Sequence, residues 1–162
     1  MILTVRIDDR LLHGQVVYSW KAALSYNAVV IASNEAANDE TRKMALKMSC
    51  PDGVRLAIRT IEDAAKVLKN PKLAPMKVFV ICSKPKDAYE LLALIDETPV
   101  LNVGGMQMHD GKVLLSPAVY VSKEDIAYLD KIQDSGIEIE VRQVPTDNVR
   151  NYNDLKSKIT FK

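Results

Sequence analysis

Short apolar runs rich in valine and isoleucine, recurring at near-regular intervals, constrain this chain more than any other feature. Ile2 to Ile7, Asn27 to Ala32, Val54 to Arg59, Lys77 to Cys82, Pro99 to Val103 and Ile137 to Val141 are six such runs, with a weaker seventh at Ala118 to Val121. They are too short for helices and lack strict polar alternation, as expected of strands buried on both faces. Between them lie segments with apolar residues at helical spacing: Gly14 to Leu24, Glu35 to Met48, Ile61 to Leu68, Asp87 to Ile95 and Lys123 to Gln133, with a polar helix near Asn151 to Ile159. Thr60 and Ser122 stand where helix N-caps belong, and Pro85 suits a first turn. Strand and helix in alternation predict an α/β fold: an open, mostly parallel, doubly wound sheet with helices on both faces.

The 162 residues suit one domain, 1–162, with no linker, repeat or low-complexity stretch to divide them. One segment breaks the rhythm. Gly104 to Pro117 is too long for a simple turn and carries Asp110-Gly111, so it reads as an excursion beside the sheet.

Charge and composition exclude several classes of function. With 22 basic and 21 acidic side chains the net charge is +1, which argues against nucleic acid as a partner. No apolar run approaches the ~20 residues of a membrane span, and the first residues lack a secretory pattern. Cys50 and Cys82 are far apart and fit a reduced, cytoplasmic setting. No histidine or cysteine pair has metal-ligand spacing, and neither GxGxxG nor GxxxxGK[ST] occurs. The expectation is a protein with no metal and no cofactor.

Ligands of open α/β sheets bind beyond the carboxyl ends of the strands, so the residues just after each run matter most. The first such loop is dense in chemistry: Arg6, Asp8, Asp9, Arg10, His13, Gly14 and Gln15 fall within ten positions. His13 immediately precedes a helix start, where free backbone N–H groups and the helix dipole favour an anion. An oxyanion on His13 would meet those groups and a forked guanidinium from Arg10 or Arg6. Asp8 or Asp9 would hold the imidazole in one tautomer and leave the other nitrogen free as a nucleophile. The competing explanation is a capping histidine beside a solvated ion-pair cluster worth little energy.

Other positions carry weaker signals. Gly104 and Gly105 either cradle a phosphate with their backbone or form an ordinary turn. Ser33, Ser83 and Thr146 are candidate hydrogen-bond donors to a phosphoryl oxygen, although serine and threonine after strands mostly cap helices. His109, beside Asp110-Gly111, reads as a turn residue. Trp20 reads as core, and Cys82 as inert packing.

Arg6 to Val16, RIDDRLLHGQV, closely resembles the signature RIDDRL(I/L)HGQV of the IIB components of the mannose/fructose/sorbose family of the bacterial sugar phosphotransferase system. Asn102 to Met106 resembles the family's NVGGM segment, and Gly136 to Arg142 its GIELEVR strand. Glu35-Ala36-Ala37, Thr41-Arg42-Lys43 and Pro51 to Val54 follow in the expected order, so the likeness spans the chain. The resemblance implies a sheet of about seven strands, matching the six clear runs and the weaker seventh. It implies that His13 accepts a phosphoryl group on Nδ1 from a phosphorylated IIA protein and passes it to a sugar carried by the IIC and IID membrane subunits. Arg10 would hold the phosphoryl oxygens. Arg6, Asp8, Asp9, Gly14, Gln15, Ser33, Ser83, Gly104 and Gly105 remain candidates for phosphoryl or partner contact. The protein would then be cytoplasmic, held peripherally at the inner membrane face, with a homodimer open. The other reading is a regulatory protein of the same fold whose His13 phosphorylation controls partner binding.

Overall fold

The computed structural model describes residues 1–161. Seven strands form one sheet, in the order β3-β2-β4-β1-β5-β8-β9. These are β1 (Ile2–Asp8), β2 (Ala28–Ala32), β3 (Arg55–Arg59), β4 (Val78–Cys82), β5 (Leu101–Gly105), β8 (Ile139–Val141) and β9 (Arg150–Asn151). All neighbours pair in parallel except β8 and β9. A separate hairpin of β6 (Val113–Ser116) and β7 (Val119–Val121) lies beside the sheet, touching it through a bridge between Met106 and Val119.

Helices cover both faces, as the alternation requires. On one face α1 (Gly14–Leu24), α2 (Asn34–Ala37) and α3 (Glu40–Ser49) bury Val17, Trp20, Ala36 and Leu46 against Val29, Ile31, Phe79 and Ile81. On the other, α4 (Ile61–Lys69), α5 (Pro85–Leu94), α6 (Lys123–Asp134) and α7 (Tyr152–Lys156) pack on Val5, Ile7, Val30, Val80 and Val103. Successive residues of β4 serve opposite cores, which is why VFVIC is apolar throughout.

Thr60 and Ser122 cap α4 and α6 as expected, Ser122 forming a reciprocal capping box with Asp125, and Pro85 opens α5. Three expectations need correction. The helix read over Glu35 to Met48 is two helices, because Asn38 and Asp39 bond to backbone: Asn38 to the Asn34 carbonyl, and Asp39 to the Arg42 N–H as a new N-cap. The run Ala118 to Val121 belongs to the hairpin and not to the main sheet. The seventh strand is instead the two-residue β9, which precedes a shortened last helix capped by Asn151.

Candidate functional site

The first loop is folded around one carboxylate. Asp8, the last residue of β1, is 1% exposed, and its side chain accepts three hydrogen bonds. The Arg6 guanidinium donates to Oδ2 at 3.0 Å, the Arg10 backbone N–H donates to Oδ1 at 3.0 Å, and His13 Nε2 lies 2.9 Å from Oδ2. A carboxylate only accepts, so the proton of a neutral His13 ring sits on Nε2 and the Nδ1 lone pair is free. The side chain of His13 remains 20% exposed. Of the two aspartates offered for this tautomeric role, Asp8 is the one in contact.

The backbone is bent to make this possible. Leu11 adopts φ +57°, and its N–H closes a turn onto the Asp8 carbonyl at 2.9 Å. A leucine rarely adopts this left-handed conformation. Burial of Leu11 and Leu12 in the core beneath α1 holds the loop in place. Gly14, at φ +47° with open space where a Cβ would stand, is glycine for its conformation. His13 is the N-cap of α1 and its side chain makes no capping bond. The N–H groups of Gly14, Gln15 and Val16 belong to the helix's first turn, which has no intrahelical acceptors for them. Gln15 is exposed at that end.

The two arginines of the loop differ completely. Arg6 is 1% exposed and locked in place, donating to Asp8 and, at 2.8 Å, to Asn102 Oδ1. Its guanidinium lies over the Trp20 ring, 5.5 Å from the centroid. Burial pulls its pKa below the ordinary arginine value, and Asp8 opposes the pull. Arg10 is exposed, and its side chain has no hydrogen-bond partner among the described residues. Of the two, Arg10 is the one able to swing onto an anion at His13.

Gly104 and Gly105 lie within β5 and have a steric duty, so neither alternative read for them, cradle or turn, describes their place. A Cβ on Gly104 would come 2.1 Å from the Arg6 guanidinium, and one on Gly105 would come 3.1 Å from Asp8 Oδ1. Their absent side chains make room for the ion pair. Asp9 faces away from His13 and binds Gln107, accepting from its backbone N–H at 2.6 Å. Ser33 is fully buried and caps α2, and Ser83 donates to Asp87, so neither hydroxyl faces the histidine. Thr146 is exposed in the loop after β8. His109 accepts a turn hydrogen bond from Lys112 through its carbonyl.

Sequence reasoning gave no role to Asn102, which orients Arg6 while donating to Glu140 and to the Arg142 carbonyl. A signal existed: Arg6 and Asn102 are both polar in otherwise apolar strands, and they stand opposite in register.

Comparisons with known proteins place the chain as a whole. Residues 2–162 match the family model for the sorbose subfamily IIB component of the phosphotransferase system. The sorbose-specific EIIB component of Lacticaseibacillus casei is 35% identical over 91% of this chain and 90% of that protein. The mannose-specific EIIAB component of Escherichia coli is 37% identical over 95% of this chain, which spans only 48% of that longer protein. Among solved structures, the IIB domain of the sorbose permease from Klebsiella pneumoniae superposes with a TM-score of 0.93 at 30% identity, over 100% of this chain and 99% of that one. The chain belongs to the sorbose subfamily of phosphotransferase-system IIB components, and its role is that of a phosphocarrier in sugar phosphotransfer.

Proposed function

We propose that His13 is the phosphorylated residue, that Nδ1 is the atom that carries the phosphoryl group, and that Arg10 neutralises the phosphoryl oxygens during transfer. The observation that supports this most is the 2.9 Å contact between His13 Nε2 and the buried Asp8 carboxylate, which leaves Nδ1 unprotonated and outward. Nδ1 attacks the phosphorus of an incoming phosphohistidine, the donor's P–N bond breaks, and its electron pair returns to the donor imidazole. The transition state is loose and in line, so the protein's work is placement and charge neutralisation. Asp8 stabilises the positively charged ring formed on transfer by accepting a hydrogen bond from Nε2–H. Arg6, paired with Asp8 Oδ2 at 3.0 Å, holds that carboxylate in place against the ring.

IIB components of this family work with IIA and with IIC/IID membrane components. For this chain we assign the donor as a phosphorylated IIA protein and the acceptor as a sugar of the mannose, fructose, sorbose or N-acetylgalactosamine type presented by IIC/IID. The relatives' names, sorbose-, mannose- and fructose-specific, support that sugar class. No helix among the described residues is long and apolar enough to cross a membrane, in keeping with docking of the whole chain, as one carrier unit, onto the inner face of such a complex.

The test is incubation with phosphoenolpyruvate and the upstream carriers, measuring acid-labile phosphate on the protein. The wild type should take up one equivalent and His13→Ala none. Uptake by His13→Ala equal to the wild type's would overturn the assignment.

A further inference from the structure

The chain's excursion between β5 and α6 builds a cavity that His13 itself does not line. It lies over the carboxyl ends of β1, β5 and β8, the place where open α/β sheets take ligands. Its volume is about 390 Å³, inside the ~300–1,000 Å³ of small-molecule sites. Asp9 and Arg10 come from the first loop, Gln107 and Met108 from the segment after β5, Tyr120 from β7 and Gln143 from the end of β8. The β6–β7 hairpin is fixed against the sheet by Met106, whose N–H donates to the Ala118 carbonyl and whose carbonyl accepts from Tyr120.

Two residues link the cavity to the proposed phosphoryl site. Arg10 is common to both, and Gly105, which lines the cavity, packs against the Asp8 carboxylate that holds His13. Gln143 touches α1 as well, its carbonyl accepting from Trp20 Nε1 at 3.1 Å. An occupant would therefore share Arg10 with the phosphoryl group proposed on His13. Its chemistry follows from the walls. Asp9, Gln107 and Gln143 offer carboxylate and amide groups suited to hydroxyls, and the Tyr120 ring and Met108 offer apolar surface for C–H faces. Asp9 and Arg10 offset one another in charge, so the walls carry no net charge and suit a neutral polyol.

We infer that this cavity is an acceptor subsite: during transfer the IIB subunit itself holds part of the sugar, through Tyr120, Gln143 and the Asp9–Gln107 pair. The inference rests on the phosphocarrier reading for its place in the reaction, but the binding itself needs no phosphate on His13. Sugar discrimination is then shared between this chain and the membrane subunits.

Two measurements on the intact chain test it. Titration of fructose, mannose or sorbose into ¹⁵N-labelled protein should shift the Gln107, Tyr120 and Gln143 resonances saturably, in the wild type and in His13→Ala alike. In a reconstituted system with IIC and IID, Tyr120→Ala and Gln143→Ala should each raise the sugar KM about tenfold, worth ~1.4 kcal/mol. Phosphate uptake from phospho-IIA should be unchanged, and Tyr120→Phe should recover most of the ring's contribution. A flat titration, an unaltered sugar KM, or an equal slowing of uptake from IIA, which would make the cavity a protein-docking feature, overturns the inference. Failure of the carrier assignment would appear separately, as phosphate uptake by His13→Ala.

Discussion

The carboxyl ends of β1 and β5 and those of β2 and β4 lie side by side on one edge of the sheet, and both carry polar residues of the kinds that bind phosphate. At β2 and β4 the groups close on one another. Ser33 caps α2, Ser83 donates to Asp87, and Glu35 pairs with Lys84 at 3.1 Å. Burial raises the Asp87 pKa, and a backbone hydrogen bond followed by the pair with Lys84 lowers Glu35's, so the cluster is occupied with its own electrostatics. At β1 and β5 the groups form a series that ends open: Asn102 to Arg6 to Asp8 to His13, with Nδ1 and the Arg10 guanidinium left over. Residue type alone does not distinguish the two regions. What distinguishes them is whether donors and acceptors balance locally.

The largest expected effect breaks the buried half of the open series. Arg6→Met leaves Asp8 a buried charge without its ion-pair partner, and removal of one member of such a pair costs about 3–5 kcal/mol. Urea denaturation should read that loss. Gly104→Ala acts on the same contact, since its Cβ would overlap the guanidinium. The two substitutions should therefore be non-additive, with Gly104→Ala far milder in the Arg6→Met background. Additive losses would mean that Gly104 matters for some reason other than Arg6.

Arg10→Ala sharpens the contrast between the arginines. Its side chain is exposed and unpaired among the described residues, so stability should change by less than ~0.5 kcal/mol. Transfer should slow by the ~2–4 kcal/mol typical of losing a charge-stabilising donor. Unchanged transfer in stopped-flow measurements would remove Arg10 from the mechanism.

Asp8→Asn tests the tautomer. All three neighbours donate to the carboxylate, so an amide must turn a donor toward one of them. If the amide N–H faces the histidine, Nε2 must accept and the proton moves to Nδ1, which ends its nucleophilicity. Transfer should fall on the order of 10²-fold. Ring ¹⁵N shifts should report the change of protonated nitrogen, a signature that simple loosening of the loop would not produce.

The fold was legible in sequence because it follows from local patterns, and the residues of the proposed site stand close together in the chain for the same kind of reason. Runs such as VFVIC announce strands buried on both faces, and RIDDRLLHGQV keeps its chemistry within eleven positions. What was not legible depends on partners distant in the chain. The pairing of Arg6 with Asn102, 96 residues on, converts Gly104 from a turn or cradle candidate into a steric necessity. The break at Asn38-Asp39 was in plain view as residue types that compete with helical hydrogen bonds, yet the apolar period across it concealed it. The left-handed Leu11 could not be read at all, because its conformation is imposed by burial of the side chain beneath α1.

The smallest effect belongs to the closed region and bears on the comparison itself. Ser33→Ala removes the cap of α2, whose Oγ lies 3.2 Å from the Ala36 N–H, and should cost about 1 kcal/mol of stability. Ser83→Ala removes one neutral donor to a carboxylate, an effect of similar size. Neither should alter phosphate uptake or transfer once the protein is folded, because the groups they serve are internal to the cluster. A transfer defect in Ser33→Ala or Ser83→Ala, at temperatures where both are fully folded, would extend the phosphoryl site across β4 toward β2. Local balance of hydrogen bonds would then be the wrong criterion for telling a structural cluster from a reactive one.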